Sequence, residues 1–295
     1  MTATIETVRN LDLWQGEVDP EPVSGGITNA NFLVTDQGRK YFVRAGEDIP
    51  LHGVMRFNEL AASTAAHEAG ISPRVVHHAP GIMVLDFIAG RTYSEEDVRH
   101  PDNLGRILPL IKTCHLEIPN HFRGPALVFW VFQVVRDYSQ TLRQGNSRMV
   151  GQLPELLALS SELEEAVGPV EIVFGHNDLL PANFIDDGEK IWLIDYDYAG
   201  FNSPLFDLGG LASNNGLDED QEKWLLENYF ESSLTEPRWI AYQAMKCASL
   251  LRESMWSMVS EIHSNLDFDY RAYTEENLAR LDAAVKTFRE LSRGK

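Results

Sequence analysis

Cysteine is scarce: the 295-residue chain has two, Cys114 and Cys247. Two isolated cysteines supply neither a disulfide framework nor a zinc site. A reducing cytoplasm is the compartment they suit. Positive charge is short as well. Lysine and arginine number 25 against 44 Asp and Glu, a formal net charge of -19. That sign repels a nucleic-acid backbone and an anionic membrane surface. Long apolar runs are missing: the longest, residues 126–135, is interrupted by Gln133 and is too short to span a bilayer. The opening MTATIETVRN has neither a basic region nor an apolar core, so no signal peptide is expected. There is no internal repeat. The remaining composition is that of a globular protein, long enough for two lobes. The acidic field has two readings: solubility, or concentration of cationic small molecules.

The most informative stretch is residues 171–200, EIVFGHNDLLPANFIDDGEKIWLIDYDYAG. Residues 171–174 are apolar and β-branched and predict a buried strand. It leads into Gly175-His176-Asn177-Asp178. Asn183-Phe184-Ile185 and Lys190-Ile191-Trp192-Leu193-Ile194 read as two more strands, joined by Asp186-Asp187-Gly188-Glu189. Asp-Gly between apolar runs is a strong hairpin signal. A hairpin there carries Asn183 and Asp195 to one open end, beside Asp178. That suits phosphoryl transfer. Asp178 is the candidate to orient a hydroxyl and take its proton. Asn183 and Asp195 are candidates for Mg²⁺, a hard ion that takes oxygen ligands and few of them from protein. The spacing matches the kinase pattern H-x-D-x-x-x-x-N with a metal-holding Asp downstream. Here it reads His176, Asp178, Asn183, then Asp195-Tyr196-Asp197.

HNDLLPANF together with LIDYDYAGFNSPLFDLG resembles the choline/ethanolamine kinase branch of the aminoglycoside phosphotransferase family. The resemblance implies an α+β, two-lobed protein-kinase-like fold. Residues 1–89 would be a small strand-rich N-lobe that binds nucleotide. Residues 90–295 would be a larger helical C-lobe with the catalytic and substrate-binding groups. It implies ATP in the cleft, Mg²⁺, and transfer of the γ-phosphoryl group to the hydroxyl of choline, ethanolamine or a related amino alcohol. In such a lobe Gly25 and Gly26 fall where a phosphate-covering loop belongs, since glycine lets backbone N–H groups approach phosphate closely. Arg44 ends a strand where a protein kinase carries a lysine; Lys40, at the start of that strand, is the competing candidate. Glu59, one turn into a helix over 55–69, can pair with Arg44. The segment VLDFIAGRT resembles the hinge between lobes, with adenine against backbone groups at Asp86, Phe87 and Ile88. Asp207 is expected to support the catalytic loop through its backbone.

Further helices are expected over 103–116, 128–142, 154–166, 220–230, 237–262 and 274–291. His115 is expected to be a packed, hydrogen-bonded core residue. Trp256, Phe268 and Tyr273 match the family's aromatic cage for a quaternary ammonium, which ring faces and carboxylates hold; core packing is the other reading. Two positions depart from the family. Glu253 stands where a second tryptophan is expected, and Asn214 stands at a pocket glutamate. Glu253 is therefore a candidate substrate carboxylate. Asp197 is a second carboxylate, a candidate for the substrate, for binding metal or for supporting the site. Three other functions stay open: an aminoglycoside or other small-molecule phosphotransferase of the same fold, a nucleotide-binding pseudokinase scaffold, and a hydrolase using His176, Asp178 and Asp195. The sequence leaves the acceptor, the oligomeric state and regulation open.

Overall fold

A computed structural model describes residues 2–23, 29–264 and 266–293. The candidate phosphate loop at Gly25 and Gly26 lies outside these residues. The N-terminal part contains α1 (Thr2–Arg9), β1 (Glu21–Val23), β2 (Ala30–Asp36), β3 (Arg39–Ala45), α2 (Arg56–Glu68), β4 (Val75–Ala79) and β5 (Ile82–Asp86). The strands form one antiparallel sheet in the order β1-β2-β3-β5-β4. Gln37 and Gly38, both at positive φ, turn β2 into β3, the backbone that matches the twist of a tight hairpin. Alternation along β3 sends Val43 and Ala45 into a small core with Val8, Phe32, Val34 and Val84. Phe42 and Arg44 take the opposite face.

Helix α2 does not share that core. Its Ala62, Ala65 and Ala66 join the larger apolar cluster of the C-terminal part. The helix thus ties the two lobes together, and Glu59 is carried on it.

The chain then passes through β6 (Arg91–Thr92), α3 (Glu95–Arg99), α4 (Pro101–Leu116), α5 (Ile118–His121), α6 (Val131–Gln144) and α7 (Leu153–Val167). Gly90 marks the crossing. A β-carbon there would stand 2.7 Å from the Asp186 carbonyl oxygen, so only glycine lets the strands approach. Ser94 caps α3 in a reciprocal capping box with Asp97.

Four short strands follow: β7 (Val173–Gly175), β8 (Phe184–Asp186), β9 (Ile191–Leu193) and β10 (Gly200–Asn202). β8 and β9 form the expected hairpin, extended by β6; β7 pairs with β10. In the turn, Asp187 accepts hydrogen bonds from the Glu189 and Lys190 amides at 2.9 and 2.8 Å, and Gly188 supplies the positive φ.

Helices α8 (Pro204–Asn215), α9 (Glu219–Phe230), α10 (Glu236–His263) and α11 (Tyr270–Arg293) complete the chain. No helix is expected at α8 from the sequence. Its residues 204–212 are buried on every side, so it has no polar face and no amphipathic period. Ser203 caps it and Pro204 occupies its first turn. α10 lies at the centre, packed against α6, α7, α8 and α11. Among the described residues no helix is long and apolar enough to cross a membrane.

Candidate active site

The loop after β7 is held by one buried carboxylate. Asp207, on α8, accepts the His176 and Asn177 amide protons, each at 2.7 Å. His115 on α4 meets the same carboxylate at 2.9 Å and the Tyr229 hydroxyl at 2.7 Å. Burial alone would raise the Asp207 pKa. Hydrogen bonds from His115 and the His176 amide outweigh it and hold the carboxyl below its usual range. His115 is thus the hydrogen-bonded core residue expected. Asn177 adopts a positive φ, tolerable for asparagine. Its side chain donates to the Tyr198 carbonyl at 2.9 Å and accepts from Asn202 at 3.0 Å. The His176 ring lies 2.9 Å from the Ile194 carbonyl through Nε2, and burial keeps it neutral by lowering its pKa. The His-Asn-Asp order therefore has two bracing residues ahead of Asp178.

The hairpin completes the arrangement. The Ile194 amide donates to the Asn183 carbonyl at 3.0 Å, and Asn183 Nδ2 donates to the Asp178 carbonyl at 2.8 Å. Those two bonds spend the asparagine's backbone carbonyl and amide nitrogen, so its side-chain oxygen is the group left for a cation. Asp195, also at positive φ, follows at once, and its Oδ1 is buried without a hydrogen-bond donor. Burial raises the Asp195 pKa, with Arg44 opposing and Asp197 adding to the rise. The Asp178 carboxyl is pushed well above its usual range, chiefly by burial. Arg252 opposes that rise; Glu253, Asp195 and Asp197 add to it. Asp178, Asn183 and Asp195 thus gather at the open end of the hairpin, as their spacing predicts.

A charged cluster faces them from the N-terminal sheet. Arg44 touches Glu59 and Asp197 and stands 3.7 Å from Asp195. Arg56, which is not among the candidates read from the sequence, meets Glu59 at 2.8 Å, Asp197 at 2.9 Å and Asn29 at 2.7 Å. A signal for it exists: it lies three residues before Glu59, the spacing of neighbours on one helix face. Lys40 is placed elsewhere, 5.7 Å from the Phe87 ring, so Arg44 is the cation at the centre. Asp197 falls to the supporting one of its expected roles. It is 3 % exposed and bound by Arg44 and Arg56, which makes it a partner of the arginines.

The candidate hinge residues lie at the end of β5. The Asp86 carboxylate is held by Arg39 at 2.6 Å and Arg74 at 3.3 Å. Phe87 is exposed, and the Ile88 carbonyl accepts the Gly90 amide proton at 3.1 Å. A cavity of about 330 Å³ opens between α2 and the β4–β5 turn, lined by Arg44, Arg56, Phe57, Glu59, His78 and Met83 among others. None of Asp178, Asn183 and Asp195 lines it, so it is not where the chemistry gathers.

The candidate acceptor residues come together on α10 and α11. The Tyr273 hydroxyl donates to Glu253 at 2.8 Å. Trp256 donates to the Tyr198 hydroxyl at 2.9 Å and packs with His52, Tyr270 and Tyr273 at centroid distances of 5.3, 6.0 and 6.4 Å. Phe268 lies 5.7 Å from Tyr273 and is exposed. Asn214 is half-buried near the end of α8. His52, Tyr138, Tyr198 and Arg252, which pack with these residues, carried no sequence signal.

With that geometry in place, comparison with known proteins identifies the family. The family model for choline/ethanolamine kinase matches residues 21–229, well over half of the chain. The chain belongs to the choline/ethanolamine kinase family. Protein LicA of Haemophilus influenzae is 28% identical over 284 residues, covering 90% of this chain and 79% of that protein. Ethanolamine kinase 2 of Mus musculus is 27% identical, covering 88% of this chain and 74% of its own length. A choline/ethanolamine kinase family protein from Mesorhizobium loti has a solved structure that superposes with a TM-score of 0.80 at 26% identity. The match covers 99% of this chain and 96% of that one. The fold is therefore the two-lobed protein-kinase-like one, and the chain is a member of a kinase family.

Proposed function

We propose that this choline/ethanolamine kinase family member transfers the γ-phosphoryl group of ATP to the hydroxyl of a small amino alcohol. The convergence of Asp178, Asn183 and Asp195 at the hairpin's open end carries this reading. In the reaction, the acceptor oxygen forms a bond to the γ-phosphorus while the bond from that phosphorus to the β,γ-bridging oxygen breaks. The acceptor proton goes to Asp178, and ADP leaves. An elevated pKa makes Asp178 a better proton acceptor than an ordinary aspartate.

Arg44 would steady the phosphates, held in place by Glu59, with Arg56 reinforcing the pair. The backbone at Asp86, Phe87 and Ile88 would border the adenine, and Gly25 and Gly26 would cover the phosphates. Asn183 and Asp195 would hold magnesium. The fit is supported by Asp195 Oδ1, which is buried without a hydrogen-bond donor and has Arg44 at 3.7 Å, and by a set of two protein oxygens, which suits an ion that takes its other ligands from phosphate and water. Bound there, magnesium would neutralise charge on the phosphate oxygens. Glu253, Tyr273, Trp256 and Phe268 would receive the ammonium end of the acceptor.

The lobes would divide near residue 89. We place the protein in the cytoplasm, because Cys114 and Cys247 are free and buried; recovery from a secreted or membrane fraction would refute that placement.

A panel of choline, ethanolamine, related amino alcohols and aminoglycosides, read by coupled ADP release, tests the function. Turnover of an amino alcohol is expected, with a loss of at least about a thousandfold in Asp178→Ala. Turnover of aminoglycosides alone would reassign the acceptor. Nucleotide binding without turnover of any acceptor would leave a scaffold instead.

A further inference from the structure

Among the described residues, Arg252 is a buried cation to which the proposed reaction assigns no bound group, although its charge bears on Asp178. It lies on α10 immediately before Glu253 and is 4 % exposed. Its guanidinium stacks 4.3 Å from the Tyr198 ring centroid and 5.6 Å from that of Phe129. Nη1 donates to Glu253 at 2.9 Å. Nε and Nη2 are buried and have no acceptor. The Tyr138 hydroxyl lies beside the guanidinium and interacts with it, and meets His52 at 3.0 Å.

Buried donors without acceptors are costly and uncommon. Nε and Nη2 form one edge of the planar guanidinium, and that edge matches a carboxylate in two parallel bonds. Its location is set by its neighbours. Tyr198, on which it stacks, accepts the Trp256 indole proton; Glu253, which it binds, accepts the Tyr273 hydroxyl proton. Those are the residues proposed to receive the acceptor. A quaternary ammonium beside the free edge would gain nothing from it and would be repelled.

We propose that Arg252 binds a carboxylate carried by the acceptor, so that the preferred acceptor is a zwitterionic hydroxy-amino acid and not choline. Arg252 takes the carboxylate through Nε and Nη2. Glu253 and the Trp256 and Tyr273 rings take the ammonium. The hydroxyl is left for Asp178. This inference rests on the amino-alcohol kinase reading and narrows its substrate class.

Matched pairs test it. Serine is ethanolamine with a carboxylate added; homoserine stands in the same relation to 3-amino-1-propanol. In the wild-type protein kcat/KM is expected to be about tenfold or more higher for the carboxylate member of at least one pair, the scale of one charge-assisted contact. That ratio should collapse in Arg252→Met and be partly kept in Arg252→Lys. Preference for the plain amine in both pairs overturns the proposal. So does a ratio unchanged in Arg252→Met with kcat lowered equally for both members, which would place the edge on the transferring phosphoryl group. If Arg252→Met does not fold, as judged by circular dichroism and melting, the wild-type and Arg252→Lys ratios decide. If no acceptor releases ADP, the kinase reading fails separately. Calorimetric titration with serine and homoserine then decides the role of Arg252: binding by the wild type and not by the variant supports it, and absence of binding overturns it.

Discussion

Replacing Asp207 by asparagine tests whether one carboxylate braces the catalytic loop. The wild-type side chain is 2 % exposed and accepts contacts from His176 N, Asn177 N and His115 Nε2 at 2.7, 2.7 and 2.9 Å. Hydrogen bonds to a charged group contribute about 1.5–3 kcal/mol each. Asparagine keeps one acceptor oxygen, loses the charge, and turns an NH₂ toward a buried donor. The loss should be about 3–5 kcal/mol, the usual consequence of breaking a buried charged pair. At about 2–4 °C per kcal/mol, taken from slightly shorter domains, the melting temperature should fall by on the order of 10 °C. The Asp207 pKa is depressed in the folded protein. Its contribution is therefore complete above the unfolded carboxylate pKa and is lost only as pH falls through the lower folded value. The gap between variant and wild type should thus persist across neutral pH and close in acid. Hydrogen exchange should speed up at the His176 and Asn177 amides ahead of the rest of the fold, and kcat should fall because Asp178 is no longer positioned. Melting within about 2 °C of wild type, with those amides still protected, would refute the account.

Three further outcomes follow from the same geometry. Because the Asp178 pKa is raised, kcat/KM should climb with pH through a value above the usual carboxylate figure of about 4, and Arg252→Met should move that limb to higher pH; a limb at the ordinary position refutes this. Glu59→Gln should raise the KM for ATP and lower kcat by about tenfold or more, since Arg44 would be left to Asp197 and Asp195; unchanged kinetics would remove Glu59 from the site. Gly90→Ala should destabilise by about 1–3 kcal/mol, because the new methyl meets the Asp186 carbonyl oxygen and Ile185 Cγ2, both at 2.7 Å; wild-type melting would show that the crossing between lobes can yield.

Local chemistry alone determined the parts of this protein whose partners are close in sequence. The Asp187-Gly188 turn, the Ser94 cap and the alternation along β3 each involve groups a few residues apart, so Asp178, Asn183 and Asp195 were legible as candidates before any coordinates; Arg44 became one through the family resemblance. Tertiary structure decided everything that depends on distant partners. Asp197 reads as free for a substrate until Arg44 and Arg56 are seen to bind it from another lobe. Helix α8 is silent in the sequence because burial on all sides removes the period that marks a helix. Arg252 gains its meaning only because α10 runs through the middle of the lobe, where a guanidinium can lose water from two of its nitrogens without gaining an acceptor from the chain. Burial depth and through-space partnership are sums over the whole fold, and no window of sequence contains them.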